Sequence, residues 1–196
     1  MLRIGLTGGI GSGKSMVAKI FESLRIPVYY ADDRTKHLMN SDPQLIADLK
    51  KHFGSKTYSA GTLDRQYLAG IVFNNQEKLT LLNSLTHPAT INDANQWMKE
   101  QTSRYIIKEA ALLFESGAGE HLDNIIGVHA PAALRMQRVM MRDHLCADDV
   151  QKIMDRQMDE ETKMKLCDYI ITNDETQLVI PQVLLLHEKF NRPPGK

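Results

Sequence analysis

The chain carries Gly8-Gly9-Ile10-Gly11-Ser12-Gly13-Lys14-Ser15, a glycine-rich stretch closed by a lysine and a hydroxyl residue. These residue types at this spacing, G-x-x-x-x-G-K-[ST], meet the requirements for holding the phosphates of a nucleotide. Backbone N–H groups must curl closely around phosphate oxygens, and glycines allow the positive φ values such a nest needs. Lys14 then brings a mobile cation to the β- and γ-phosphates, and the Ser15 hydroxyl is a ligand for Mg²⁺. The competing reading is a glycine-rich turn with a chance lysine, and the flanks argue against it. Leu2-Arg3-Ile4-Gly5-Leu6 is a short apolar run suited to a buried parallel strand. Val17, Ile20, Phe21 and Leu24 recur at helical spacing, so the loop opens a helix whose N-terminus points at the anion.

Kinases, GTPases and motor or transport ATPases share such a loop, so residues outside it decide the chemistry. The D-x-x-G and N-K-x-D of a GTPase are absent. A mechanical ATPase ends an apolar strand in Asp or Asp-Glu, whereas here the run at Tyr105 ends in Lys108-Glu109 and that at Asn124 ends in His129. The strand that leads to such an acid is Ile26-Pro27-Val28-Tyr29-Tyr30, followed by Ala31-Asp32-Asp33. In an open α/β sheet that end lies at the ligand-binding edge, beside the phosphate loop. This suits a small-molecule kinase, with Asp32 as general base, as orienter of the acceptor hydroxyl, or as a Mg²⁺ holder through water. The alternative is a cap for a helix starting near Arg34, a part that Asp33 suits better. Arg135, Arg138 and Arg142, spaced by three and four, share one helix face. Three cations there repel one another unless an anion visits, and a lid closing over ATP supplies one, the guanidinium groups offsetting charge on the transferred phosphoryl group. A solvated charged face is the alternative.

The elements that position these residues follow from the pattern. Tyr105-Ile106-Ile107-Lys108-Glu109, Asn124-Ile125-Ile126-Gly127-Val128 and Tyr169-Ile170-Ile171-Thr172 are further strands, separated by helical stretches. Helices are expected from Pro131 through Arg142, over 147–158 and over 179–190. Short apolar strands alternating with helices predict a three-layer α/β fold, a central parallel sheet covered on both faces. Residues about 33–101 read as helical, with stripes of Leu45, Leu49 and Phe53, of Leu68, Ile71 and Val72, and of Leu79, Leu82 and Leu85. Gly54, Gly61 and the His87-Pro88 step punctuate these helices. The stretch is too long for a simple crossover, so the expectation is one domain over 1–196 with a substrate lobe at about 33–101 and a lid at about 131–158. The tail from 191 to 196 reads as a frayed end.

At 196 residues the chain is long enough to bury a core without disulfides or structural metal. Lys plus Arg equals Asp plus Glu at 24 each, so no global basic surplus recruits nucleic acid or anionic membrane. The run from Arg135 to Arg142 is a local basic patch. Cys146 and Cys167 read as two reduced thiols of a cytoplasmic protein. The seven histidines lack metal-ligand spacing. No apolar stretch reaches membrane-spanning length, and the first residues enter a strand rather than a signal peptide.

Thr7-Gly8-Gly9-Ile10-Gly11-Ser12-Gly13-Lys14-Ser15 resembles the opening of the dephospho-coenzyme A kinase family. Further pieces resemble that family in its own order: Ala31-Asp32, then Gly61-Thr62-Leu63-Asp64-Arg65 with Leu68 and Val72-Phe73, then Leu82-Asn83 with His87-Pro88. Leu112-Leu113-Phe114-Glu115, Arg138 with Arg142-Asp143, Gln157, and Asp168-Tyr169-Ile170-Ile171 with Asn173 complete a resemblance that covers nearly the whole chain. Three positions depart from the family. Tyr30 replaces the first acid of its D-A-D, Ala111 a common proline, and Met16 a common threonine. The first leaves Asp32 as the essential acid.

The resemblance implies ATP-dependent phosphorylation of the ribose 3′-hydroxyl of dephospho-coenzyme A, the last step of coenzyme A synthesis, with Mg²⁺. It further implies that Met16 and Asn173 join Gly8 through Ser15 around the nucleotide, with Lys14, Asp32, Arg138 and Arg142 catalytic. Arg65 is expected on the substrate diphosphate, or else in a salt bridge with Asp64 or another acid. His87 is expected on the adenosine or phosphates, or else as a helix-start histidine before Pro88. Glu115 is expected to anchor the lid hinge. The expected protein is a monomer or weak homo-oligomer. Rival readings are another small-molecule or nucleoside-monophosphate kinase and, from a different class, a non-catalytic ATP-binding module.

Overall fold

A computed structural model describes residues 1–73 and 75–192, so the expected frayed tail lies outside the described residues from 193 onward. In chain order the first elements are β1 (Leu2–Thr7), α1 (Lys14–Ser23), β2 (Val28–Tyr30), α2 (Ala31–Ser41), α3 (Pro43–Phe53), β3 (Tyr58–Ser59), β4 (Thr62–Leu63), α4 (Arg65–Val72) and α5 (Gln76–Lys99). Then come β5 (Tyr105–Glu109), β6 (Asn124–His129), α6 (Ala132–Asp143), α7 (Ala147–Met154), α8 (Glu160–Lys165), β7 (Tyr169–Thr172) and α9 (Val179–Asn191). They divide into two compact units, Met1–Tyr30 with the chain from Glu100 onward, and Ala31–Lys99.

The first unit holds a five-stranded sheet in the order β2-β5-β1-β6-β7. All four pairings are parallel, with Leu6 opposite both Glu109 and Ile126. A central strand of a parallel sheet is covered on both faces, which is why β1 reads as a near-continuous apolar run. One face of the sheet packs Ile4, Leu6, Ile107, Ile126, Val128 and Ile171 against Val17, Ala18 and Phe21 of α1 and Val183 and Phe190 of α9. β2 starts at Val28 rather than Ile26, since Pro27 has no N–H to give the ladder. β1 pairs with β5 on one side and β6 on the other, so the order of the sheet turns at its carboxyl end, where α/β sheets bind ligands.

The second unit has its own apolar core, Met39, Leu45, Leu49, Phe53, Tyr58, Leu63 and Leu68, with Ile71, Val72, Leu82 and Leu85 packed against it, so residues of all three expected stripes contribute. Asp42 caps α3 by accepting from the N–H groups of Gln44 and Leu45. Gly61 marks a two-residue turn between β3 and β4, a short hairpin that helical periodicity conceals; Ala60 and Gly61 both have positive φ, 48° and 81°. The expected break at His87-Pro88 is absent: α5 runs through Pro88. Pro88 and Ser84, the residue whose carbonyl loses its helical donor, are both exposed, so this part of the helix is open to solvent and the missing bond does not leave a buried polar group. The helix expected over 147–158 stops at Met154, because the backbone tightens there, with Gln157 N–H donating to Met154 O and Met158 N–H to Glu115.

Candidate active site

The glycine-rich loop leaves β1 and runs directly into α1, which begins at Lys14. Gly13 caps that helix with φ 99°, and a Cβ there would run into the Asn173 side-chain amide. The same amide donates to Ser12 O at 2.8 Å, and Asn173 N–H donates to His129 O at 2.8 Å, so the end of β7 grips the loop's trailing half. Lys14 is buried, its Nζ 3.5 Å from Gly9 O, while Ser15 and Met16 are exposed. The Ser12 hydroxyl is buried with no hydrogen-bond partner, which leaves donor and acceptor capacity inside the loop.

A cavity of about 240 Å³ opens on this loop, lined by Gly11, Gly13, Lys14, Ser15, Met16, Arg138 and Arg142. Three cations of the chain thus converge where a curl of backbone N–H groups ends, an arrangement that takes a polyanion. Arg138 donates to Asn173 O and to Glu175 Oε1, each at 3.2 Å. Arg142 makes a two-pronged pair with Asp143, at 2.8 and 2.7 Å, which raises its pKa further and holds the Asp143 carboxyl below its ordinary range. Arg135 is the exception among the expected lid arginines. It is buried, 3.5 Å from Glu160 Oε2, and a Cβ on Gly9 would meet its guanidinium. The expected frustration of three cations on one face is therefore corrected: Glu160, Glu175 and Asp143 each neutralise one.

The sequence pattern gives no role to Gln157, Glu160 or Lys163. Gln157 Oε1 accepts the Ile10 N–H at 2.8 Å. Lys163, fully buried, lies 3.0 Å from Glu115 Oε1 and donates to Ala111 O at 3.1 Å. Glu115 also accepts the Met158 N–H at 2.9 Å. Burial pushes the Glu115 pKa up, but that N–H and Lys163 outweigh it and hold the group below its ordinary value. These ties join residues 43 to 147 positions apart, so no local spacing announces them.

Asp32, Arg65 and His87 belong to the second unit. α2 begins at Ala31, immediately after β2, so Asp32 and Asp33 lie inside its first turn and neither caps it from outside. Carboxylates there face the positive end of the helix, and Asp33 also pairs with Lys36 at 2.7 Å. Arg65 opens α4, exposed and with no ion pair among the described residues; Asp64 instead caps that helix by accepting the Tyr67 N–H. His87 sits mid-helix and not at a helix start, half-buried, and burial lowers its pKa.

Among the described residues no cluster of three or more His, Cys, Asp or Glu forms a protein-built metal site. The exposed Ser15 hydroxyl on the cavity wall is a hard oxygen donor, and one such donor beside phosphates and water suits Mg²⁺.

Residues 2–178 match the family model for dephospho-CoA kinase. The dephospho-CoA kinase of Porphyromonas gingivalis is 38% identical, with 100% of each chain covered. Among solved structures, TT1252 from Thermus thermophilus superposes with a TM-score of 0.86 at 30% identity, over 98% of both chains. The dephospho-CoA kinase from Campylobacter jejuni gives a TM-score of 0.68 at 29% identity, over 95% of both chains.

Proposed function

Because the chain belongs to the dephospho-CoA kinase family, we propose that it transfers the γ-phosphoryl group of ATP to the ribose 3′-hydroxyl of dephospho-CoA, forming CoA and ADP. The observation that carries the site assignment is the 240 Å³ cavity in which Lys14, Ser15, Arg138 and Arg142 meet the phosphate loop. In this reading Gly8 through Ser15 hold the phosphates through backbone N–H groups, and Met16 and Asn173 border the nucleotide. Lys14 compensates charge on the β- and γ-oxygens as the transferred group separates. Arg138 and Arg142 act from α6 on the same charge, Arg142 by exchanging its Asp143 carboxylate for phosphate oxygens. The Ser15 hydroxyl would hold Mg²⁺, which would supply further charge neutralisation.

Asp32 is the proposed acceptor-side group, taking the proton of the 3′-hydroxyl or orienting it for in-line attack. Its position two residues beyond the end of β2 and its exposure support that part. We assign the unit Ala31–Lys99 to substrate recognition, with the exposed Arg65 on the diphosphate and His87 near the adenosine, and residues 131–158 to the lid. A cytoplasmic monomer or weak homo-oligomer accommodates this activity, which needs neither nucleic acid nor membrane. Incubation with Mg-ATP and a panel of acceptors tests the reading. ADP formation stimulated by dephospho-CoA is the expected result; stimulation by nucleoside monophosphates instead overturns it.

A further inference from the structure

We infer that Gln157 is a positioning residue for phosphoryl transfer, its side-chain carbonyl fixing the Ile10 peptide and with it the leading half of the phosphate loop. The inference rests on the kinase reading above. Ile10 lies between Gly9 and Gly11, so the peptide that must hold its curl is flanked by the two least constrained residues available. Within the loop, Ser12 N–H to Gly9 O closes the turn at 3.1 Å. The tie from outside is Gln157 Oε1, 2.8 Å from Ile10 N.

Gln157 is itself held on both sides. Its own N–H donates to Met154 O at 3.0 Å, and the next N–H, of Met158, donates to Glu115. Glu115 is in turn fixed by the buried Lys163. The acceptor is therefore presented from a pinned strap between α7 and α8, and holding Ile10 costs little further ordering. Arg135, paired with Glu160, backs the same half of the loop: a Cβ on Gly9 would meet its guanidinium and one on Gly11 its carbonyl.

The trailing half is held separately, by Asn173 on Ser12 O and by the start of α1. Loss of the Gln157 tie thus leaves the backbone of Lys14 and Ser15 anchored. Nucleotide still binds, while the geometry of the transferred group suffers, and a misplacement of about 1 Å is enough to cost on the order of 10²-fold in rate.

Gln157→Met keeps side-chain length and removes the strong acceptor; Gln157→Glu keeps an acceptor. The expected result for Gln157→Met is a kcat lowered about tenfold with KM for dephospho-CoA within about twofold. Hydrogen exchange of the Ile10 amide should accelerate in the same variant, and Gln157→Glu should restore slow exchange and most of kcat. A Gln157→Met enzyme with parental kcat, or with unchanged exchange at Ile10, overturns the inference. If Gln157→Met does not fold, Gln157→Asn, one methylene shorter, takes its place: lowered kcat with faster exchange supports the tie, and parental values of either overturn it. A parent inactive toward dephospho-CoA overturns the functional reading alone, and the exchange comparison then still decides whether Gln157 fixes the loop.

Discussion

The two units bury different things. Among the described residues, Lys14, Lys108, Glu109, Arg135 and Lys163 are buried, and all five belong to the unit that carries the phosphate loop. Among the described residues the helical unit buries no charged side chain; its buried polar groups are Thr57, Thr86, Thr90 and the Tyr58 hydroxyl, which donates to Met39 O. A buried charge is costly unless partners meet it, so a fold keeps such groups where fixed charge has a use. The first unit places three of its buried cations in the loop and its supports: Lys14 in the loop, Arg135 behind Gly9, and Lys163 in α8, fixing the Glu115 that pins the strap carrying Gln157. The second unit rests on an apolar core and leaves Arg65 exposed on its surface. The contrast matches the division proposed above, with transfer in the first unit and recognition in the second.

The sharpest way to break that division is Asp32→Asn, because Asp32 lies in the helical unit yet is assigned to chemistry. Loss of a general base lowers kcat by about 10²–10⁴-fold. Initial rates with saturating dephospho-CoA check this; undiminished turnover would return Asp32 to a helix-end role and restore a clean split between the units. Lys14→Ala comes next. Removing one cation from the transition state costs about 10²-fold in kcat, measured in single-turnover experiments. A parental rate in that variant would strip the loop unit of its central charge.

Arg65→Ala sharpens the comparison from the other side, since recognition without chemistry should appear in KM alone. An exposed arginine on a diphosphate contributes a charge-assisted hydrogen bond, so KM for dephospho-CoA rises about tenfold while kcat and the KM for ATP hold. An equal fall in kcat would move Arg65 into the transfer machinery.

How much of this was legible in the sequence depends on the reach of each interaction. The strands β1, β5, β6 and β7, the phosphate loop and α1 were readable because apolar runs, glycine spacing and helical periodicity are local signals. Family resemblance points to Asn173 as a nucleotide-binding residue but not to its grip on the loop, since Asn173 and Ser12 lie 161 residues apart. Gln157 was named the same way but without a role, and Arg135 was grouped with Arg138 and Arg142 by helical spacing alone. That spacing cannot tell a residue turned under Gly9 from two that line the cavity. Pro88 misleads for a related reason: the rule that proline breaks helices weighs most where the freed carbonyl is buried, and Ser84 is exposed.

The smallest expected effect concerns stability and again contrasts the units. Glu115 has its pKa held below the ordinary value, the Met158 N–H and Lys163 together outweighing burial. A depressed folded pKa means that ionised Glu115 stabilises the fold above its unfolded pKa of about 4.3, and that this contribution is lost as pH falls through the folded value. Glu115→Gln removes the charge opposite a fully buried lysine, so it should cost about 2 kcal/mol near neutral pH, or roughly 4–8 °C in Tm. The gap between parent and variant should narrow as pH drops below about 4, where the parent carboxylate also becomes neutral. In the helical unit the Arg34–Asp93 pair has its arginine side chain 41% exposed, and its removal is worth about 1 kcal/mol or less. Thermal unfolding from pH 7 to pH 3 measures the Glu115 effect; a Tm gap that stays constant across that range would mean the Lys163 partnership contributes packing and not charge.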